Sequence, residues 1–326
     1  MPDVLPTACI ALPLDDHLNE KVEAHCKASR IDLRAPRDQL LAALAKAEGV
    51  LLSNMVRVNA EFFDAAPSLR VVAGVGVGYN NFDVGEASKR GVAICNTPDV
   101  LTAAVADLTV AFVLSLAKRL FENEAHARSG AWAARKPLPP LGSDITGKTL
   151  GVIGFGRIGK EVTRRLKVFG MRTTFNDVFT KPPPGAPEST YRSLYDLLRE
   201  SDIVSLHTDL NPTSHHLIGE RELSLMKPSA YLINTSRGPV IDQPALTAAL
   251  QNEAIAGAAL DVLEKEPPDP EDPIIGLPNV LTFPHMATAT TGTRLAMREL
   301  AVENLLAVLE GTTPPACVNP EVLAKG

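Results

Sequence analysis

Residues 150–159 read Leu150-Gly151-Val152-Ile153-Gly154-Phe155-Gly156-Arg157-Ile158-Gly159. An apolar run leads into a Gly-x-Gly-x-x-Gly pattern, and an amphipathic, helix-length segment follows as far as residue 169. Each glycine has its own task in a dinucleotide-binding strand–turn–helix unit. Gly154 permits the tight turn, Gly156 lets a pyrophosphate come close to the backbone, and Gly159 lets helix and strand pack closely. The first helical turn, opening at Arg157 and Ile158, presents unpaired N–H groups and a positive dipole end to the phosphates. A second strand over residues 172–176 ends in Asp177, about 18 residues beyond Gly159. A carboxylate there accepts hydrogen bonds from an adenosine ribose and repels a 2′-phosphate, which favours NAD over NADP. Arg172 and Lys181 lie close enough in sequence to weaken that bias, so NADP stays open.

Outward from this unit, short apolar runs alternate with helix-length segments. The runs are residues 49–52, 69–73, 92–95, 203–206, 231–233 and 280–283; the segments include 37–47, 101–127, 243–251 and 293–309. This alternation predicts an α/β fold with parallel sheets covered on both faces. A length of 326 residues suits two domains rather than one. We expect two Rossmann-like domains with a cleft between them. Residues 1–98 plus 293–326 would form a substrate (catalytic) domain, and 99–292 a nucleotide-binding domain inserted into it. The Pro- and Gly-rich stretch over residues 135–147 reads as a long loop or arm.

Composition excludes several classes. Hydrophobic residues make up 45% and charged residues 21%, which is globular rather than disordered. The net charge of -6, with no single-sign block, removes a nucleic-acid footprint. No window approaches the ~20 uninterrupted apolar residues of a membrane span, and residues 1–14 lack a leader pattern. A cytoplasmic protein is expected. Cys9, Cys26, Cys95 and Cys317 form no Cys-x-x-Cys and no zinc spacing. They read as free thiols of a reducing compartment, and no metal is expected.

Three downstream segments each place a polar residue at or after a predicted strand end. Arg237 follows Ile233-Asn234-Thr235-Ser236, and a guanidinium can grip a carboxylate bidentately while polarising a neighbouring keto group. His285 follows Phe283-Pro284, and an imidazole suits proton donation to a developing alkoxide near neutral pH. A carboxylate on its far nitrogen would orient the ring and favour its charged form. Glu266 is the candidate for that carboxylate, with Glu264 as a rival.

The segments at residues 69–84 (LRVVAGVGVGYNNFDV), 96–106 (NTPDVLTAAVA), 147–159, 233–242 (INTSRGPVID), 257–267 (GAALDVLEKEP) and 284–290 (PHMATAT) together resemble the D-isomer-specific 2-hydroxyacid dehydrogenases. Trp132 and the ending Cys317-Val318-Asn319-Pro320 look most like the glyoxylate/hydroxypyruvate and 2-ketogluconate reductases. The resemblance implies hydride transfer from NADH to a small 2-keto acid such as glyoxylate or hydroxypyruvate, giving the D-2-hydroxy acid. It implies Arg237, Glu266 and His285 as the catalytic trio, with His285 as acid/base. Backbone N–H groups around Gly76, Val77 and Gly78 would hold the substrate carboxylate. Thr235 and Asp261 would sit beside the nicotinamide and its ribose, and Arg157 and Ile158 at the pyrophosphate. Asn54, Met55 and Tyr79 are expected to shape the pocket. A homodimer would form through the helix after Pro98 and the arm bearing Trp132.

The chain departs from the family pattern at Asp107, near Asp209, and at Ala287 and Thr288, where the family has Gly and Ser. Closely similar reductases often use NADPH, so cofactor preference cannot be copied from them. An NADH-sensing binding protein of the corepressor type, which shares this fold, is the alternative.

Overall fold

The structure, a computed structural model, describes residues 5–32 and 35–325. The first four residues of the stretch read above as lacking a leader lie outside the described residues. The chain divides into two compact units, Met1–Leu101 with Ala289–Gly326, and Thr102–Thr288.

The first unit runs β1 (Thr7–Ile10), α1 (Asp16–His25), β2 (Lys27–Arg30), α2 (Arg37–Ala43), β3 (Gly49–Ser53), α3 (Ala60–Asp64), β4 (Val71–Val75), α4 (Val84–Lys89) and β5 (Ala93–Cys95). Its five strands form one parallel sheet in the order β2-β1-β3-β4-β5. Successive side chains of a strand point to opposite faces. Accordingly Val71 and Ala73 of β4 join one core cluster and Val72 joins the other; Leu51 of β3 faces one way and Val50 and Leu52 the other. Both faces are buried, which is why these strands read as continuous apolar runs rather than alternating ones.

The second unit contains α5 (Thr102–Lys118), α6 (Leu120–Arg128), β6 (Thr149–Ile153), α7 (Arg157–Val168), β7 (Arg172–Asn176), β8 (Thr190–Tyr191), α8 (Leu194–Glu200), β9 (Ile203–Leu206), α9 (Glu220–Leu225), β10 (Tyr231–Asn234), α10 (Gln243–Gln251), β11 (Gly257–Leu260) and β12 (Val280–Thr282). The chain then returns to the first unit as α11 (Thr291–Leu309), whose Ala301, Val302, Leu305 and Leu306 pack on that sheet's core. The seven-stranded parallel sheet has the order β12-β11-β10-β9-β6-β7-β8. From β6 the chain builds outward through β7 and β8, then crosses back to β9 and builds the other way. In open α/β sheets, ligands bind at the carboxyl ends of the strands at such a switch point.

Two stretches differ from the sequence reading. The helix expected over residues 101–127 is broken at Arg119, which adopts φ +51°. The arm supplies the reason. The Ser143 N–H donates to the Ala117 carbonyl, and at Gly142 a Cβ would stand only 2.4 Å from that oxygen. The arm therefore caps the helix end. The helix expected over 37–47 stops at Ala43.

Candidate active site

The glycine loop sits where β6 ends. Gly154 has φ +89°, and a Cβ there would lie 2.5 Å from the His207 carbonyl oxygen. Gly159 would place a Cβ 2.1 Å from the Gly154 carbonyl oxygen. Both positions are therefore fixed by the protein's own backbone. Gly156 differs: a Cβ there would meet nothing within 4 Å. Chain packing does not require a glycine at that position. The open space lies against the N-terminus of α7, where Gly156 is the N-cap and provides no side chain for the first-turn N–H groups. Arg157 is exposed and Ile158 half-buried at the same turn. This is the cradle that a pyrophosphate would fill, so the residues present fit a dinucleotide. Phe155 is buried and stacks on Phe175 of β7 with ring centroids 4.4 Å apart, which fixes the loop to the neighbouring strand.

Asp177 lies at the carboxyl end of β7. Its Oδ2 accepts from the Phe155 N–H (2.6 Å) and its Oδ1 from the Val178 N–H (2.7 Å). The acid thus pins the glycine loop directly, and each oxygen keeps a further lone pair for an outside donor.

Three loops of the second unit carry the reactive side chains. His285 Nδ1 is 2.7 Å from Glu266 Oε2, and Glu266 Oε1 accepts from the Leu263 N–H (3.1 Å). An ionised carboxylate only accepts, so Nδ1 carries the proton and the Nε2 edge of the ring is left for a substrate. Glu264 faces elsewhere. Its Oε1 meets His216 Nε2 at 2.9 Å, and its N–H donates to Gln243 Oε1. The two candidate acids are thereby separated, Glu266 with His285 and Glu264 with His216.

His285 has φ +57°, an uncommon conformation for a side-chain-bearing residue that costs about 1–2 kcal/mol. Asp261 holds it there. The Asp261 carbonyl accepts from the His285 N–H (2.9 Å), and its carboxylate oxygens accept from the N–H groups of Met286 (2.7 Å) and Ala287 (2.9 Å). Asp261 is 1% exposed, and burial pushes its carboxyl above the usual range against these bonds. Expected beside the nicotinamide ribose, it stands first as the support of the His285 turn.

Arg237 is half-buried. Desolvation lowers its pKa, while Glu266 and Asp209 oppose the shift, so both carboxylates act on the guanidinium. Asn234 builds its turn, with Oδ1 accepting from the Ser236 N–H and hydroxyl and Nδ2 donating to the Arg237 carbonyl. Gly238 then lets this loop touch the one bearing Glu266: a Cβ at Gly238 would lie 1.8 Å from the Leu263 carbonyl oxygen. Thr235 is buried, with Oγ1 3.1 Å from Thr109 Oγ1. The Thr109 hydroxyl proton goes to the Val105 carbonyl, so Thr235 is the donor of that pair. Sequence reasoning missed Asn234, Gly238 and Thr109. Only a glycine directly after the arginine hinted at the close approach.

In the first unit, residues 76–78 follow β4. Gly76 has φ +147°, and its N–H donates to Thr97 Oγ1 at 3.0 Å. That N–H is therefore occupied, whereas those of Val77 and Gly78 have no acceptor among the described residues. Gly76 contributes its backbone shape, and two N–H groups remain instead of the three expected. Asn54 is 7% exposed and supports the loop from behind, its Nδ2 donating to the Gly78 carbonyl (2.6 Å). Met55 and Tyr79 are exposed. Among the described residues, no cluster of three or more His, Cys, Asp or Glu could hold a metal ion.

Known proteins resemble this chain over most of its length. Residues 110–287 match the family described as D-isomer specific 2-hydroxyacid dehydrogenase, NAD binding domain. A glyoxylate reductase of Thermococcus gammatolerans is 45% identical over 293 residues, covering 88% of this chain and 87% of its own. One of Thermofilum pendens is 41% identical over 327 residues, covering 99% and 96%. The crystal structure of an NADPH-dependent glyoxylate/hydroxypyruvate reductase of Sinorhizobium meliloti, in complex with NADP and malonate, superposes with a TM-score of 0.84 at 33% identity, covering 96% of each chain. The chain belongs to the D-isomer specific 2-hydroxyacid dehydrogenases.

Proposed function

We propose that this protein reduces a small 2-keto acid, glyoxylate or hydroxypyruvate, to the D-2-hydroxy acid with NADH. The observation that carries this reading is the His285–Glu266 pair at 2.7 Å, in the same unit as a glycine cradle open only at Gly156. Bound with its pyrophosphate in that cradle, a reduced nicotinamide dinucleotide would supply the hydride. Around it, Gly154, Gly156, Arg157, Ile158 and Gly159 serve the pyrophosphate, Asp177 the adenosine ribose, and Thr235 and Asp261 the nicotinamide side.

His285 is the proton donor. Its Nε2 edge gives a proton to the keto oxygen as negative charge develops there, and Glu266 stabilises the imidazolium beforehand. Arg237 binds the substrate carboxylate and polarises the keto group. In the first unit, the turn shaped by Gly76 offers the Val77 and Gly78 N–H groups to a carboxylate. In the reverse direction His285 accepts the proton.

NADH preference rests on Asp177 alone. The relative from Sinorhizobium meliloti is NADPH-dependent, so the cofactor of one member does not fix that of another. An exposed apolar set on α6 and the arm (Leu120, Phe121, Trp132, Leu138 and Leu141) supports a homodimer. Among the described residues no helix is long and apolar enough to cross a membrane; the cytoplasmic location is part of the proposal. Initial rates of NADH and NADPH oxidation with glyoxylate, hydroxypyruvate, pyruvate and 2-ketogluconate, with chiral analysis of the product, test the proposal. No oxidation with any of them, alongside measurable NADH binding, would favour a nucleotide-sensing role instead.

A further inference from the structure

Two of the four cysteines, far apart in sequence, meet in the first unit. β5 ends at Cys95, and residues 316–319 run beside it. The Val318 N–H donates to the Ile94 carbonyl and the Ile94 N–H to Asn319 Oδ1, each at 2.7 Å. On the other side, the fully buried Asn304 of α11 ties together the chain neighbours of both cysteines. Its Nδ2 donates to the Asn96 carbonyl (2.9 Å), and its Oδ1 accepts from the Ala316 N–H (2.8 Å). Residues on both sides of each cysteine are thus bonded across the same gap; the Cys317 thiol donates to Asn319 Oδ1 (3.6 Å) and packs against the buried cluster that contains Cys95. Adjacent hydrogen-bonded backbones stand about 5 Å apart, inside the Cα separation of roughly 4.4–6.8 Å that a disulfide spans.

We propose that Cys95 and Cys317 are a redox-active pair that closes reversibly into a disulfide when met by a small disulfide oxidant such as oxidised glutathione. Cys317 is the attacking thiol. It is half-buried, whereas Cys95 is 0% exposed. The neighbouring Cys95 thiol brings the Cys317 thiol down to about 7, and Cys95 is itself driven upward. The Cys317 thiolate attacks one sulfur of the oxidant, forming a mixed disulfide and releasing one glutathione thiolate. Cys95 then attacks Cys317 Sγ, its proton passing to the departing sulfur, so that the second glutathione leaves as a thiol. Two electrons pass from the protein dithiol to the oxidant. Cys9 and Cys26 do not compete: burial raises both thiols, Cys26 to about 11.

The pair also reaches the loop at residues 76–78. Asn96 Nδ2 donates to the Val77 carbonyl (2.8 Å), and Thr97 exchanges two hydrogen bonds with Gly76. Drawing the sulfurs to about 2.05 Å displaces Cys95, and Asn96 and Thr97 pass that displacement to the loop. This second part rests on the 2-keto acid reading; the thiol chemistry does not.

The test treats the full chain with oxidised glutathione, counts free thiols and maps the peptides. Wild type is expected to lose two of its four thiols as a Cys95–Cys317 disulfide and to regain them with dithiothreitol. The half-exposed Cys317→Ser variant should keep its remaining three, and Cys95→Ser should stop at a glutathione adduct on Cys317. Four thiols persisting in wild type, or a wild-type product that stays a glutathione adduct on Cys317, overturns the pair. The KM for the 2-keto acid should rise in the oxidised protein and recover on reduction, with NADH affinity unchanged. An unchanged KM in fully oxidised protein overturns the coupling to the loop and leaves the thiol result standing.

Discussion

Glu266 and His285 are 19 residues apart in sequence and meet at 2.7 Å, carboxylate oxygen to ring Nδ1. Glu266 is in turn held by the Leu263 N–H, and His285 by three bonds that converge on Asp261. The contact fixes both the orientation and the tautomer of the imidazole. Glu266→Gln keeps an oxygen that can accept from Nδ1 but removes the charge. We expect kcat to fall about 10- to 100-fold, part of the full general-acid contribution, with NADH affinity unchanged in a fluorescence titration. An unaltered kcat would show that the charge is not used.

Gly238→Ala tests how closely two of the loops must approach. The added Cβ would meet the Leu263 carbonyl at 1.8 Å, and both partners are backbone. The loops bearing Arg237 and Glu266 must therefore separate. A displacement of about 1 Å at such a site can cost about 100-fold in rate, so kcat/KM should fall by that order. Thermal denaturation should show a lower Tm than wild type, because the strain is paid in the folded state. Wild-type kinetics would mean that the loops need not touch.

Asp177→Ala should move cofactor choice toward NADPH. Removing the carboxylate removes its repulsion of a 2′-phosphate, and relief of about 1.4 kcal/mol is worth tenfold in the NADPH-to-NADH ratio of kcat/KM. The same change removes the acceptor of the Phe155 N–H, so the KM for NADH should rise too. Steady-state kinetics with both cofactors checks each effect separately.

His207 gives a pH prediction. It follows β9, its Nε2 bonds Ser205 Oγ (2.8 Å), and its Nδ1 is sealed from solvent with no partner among the described residues. Desolvation holds its pKa down to about 3 in the folded protein, against an ordinary value of 6.5. Between those values the unfolded chain takes up a proton that the folded chain refuses. Stability therefore rises with pH through this window and is lost as pH falls from about 6.5 toward 3. The effect amounts to roughly 2–4 kcal/mol once residual solvation of the ring is allowed for. In urea titrations at pH 7 and pH 5, His207→Gln should lose less stability on acidification than wild type. Equal losses would contradict the assignment.

What the sequence reveals depends on how local the cause is. The glycine loop, its helix and Asp177 lie within about 30 residues, and each obeys a spacing rule, so they can be read directly. Parallel sheets buried on both faces leave continuous apolar runs, which made β3, β4, β5, β6 and β9 legible. Weaker or partly exposed strands such as β2 and β8 were not. The choice between Glu264 and Glu266 depends on how a turn aims side chains two residues apart, and no pattern encodes that. The break at Arg119 depends on the Ser143 arm reaching Ala117. The engagement of the Gly76 N–H depends on Thr97, and the meeting of Cys95 with Cys317 depends on Asn304 and Asn319. The last three are long-range contacts made only once the sheet has formed.

The most direct measurement compares wild type with His285→Gln in single-turnover oxidation of NADH by glyoxylate, with NADH binding measured in parallel. Loss of a positioned general acid costs about 100-fold or more. We therefore expect the hydride step to slow by at least that factor, with NADH affinity preserved. A His285→Gln protein that binds NADH and turns over at near wild-type speed would contradict the account at its centre.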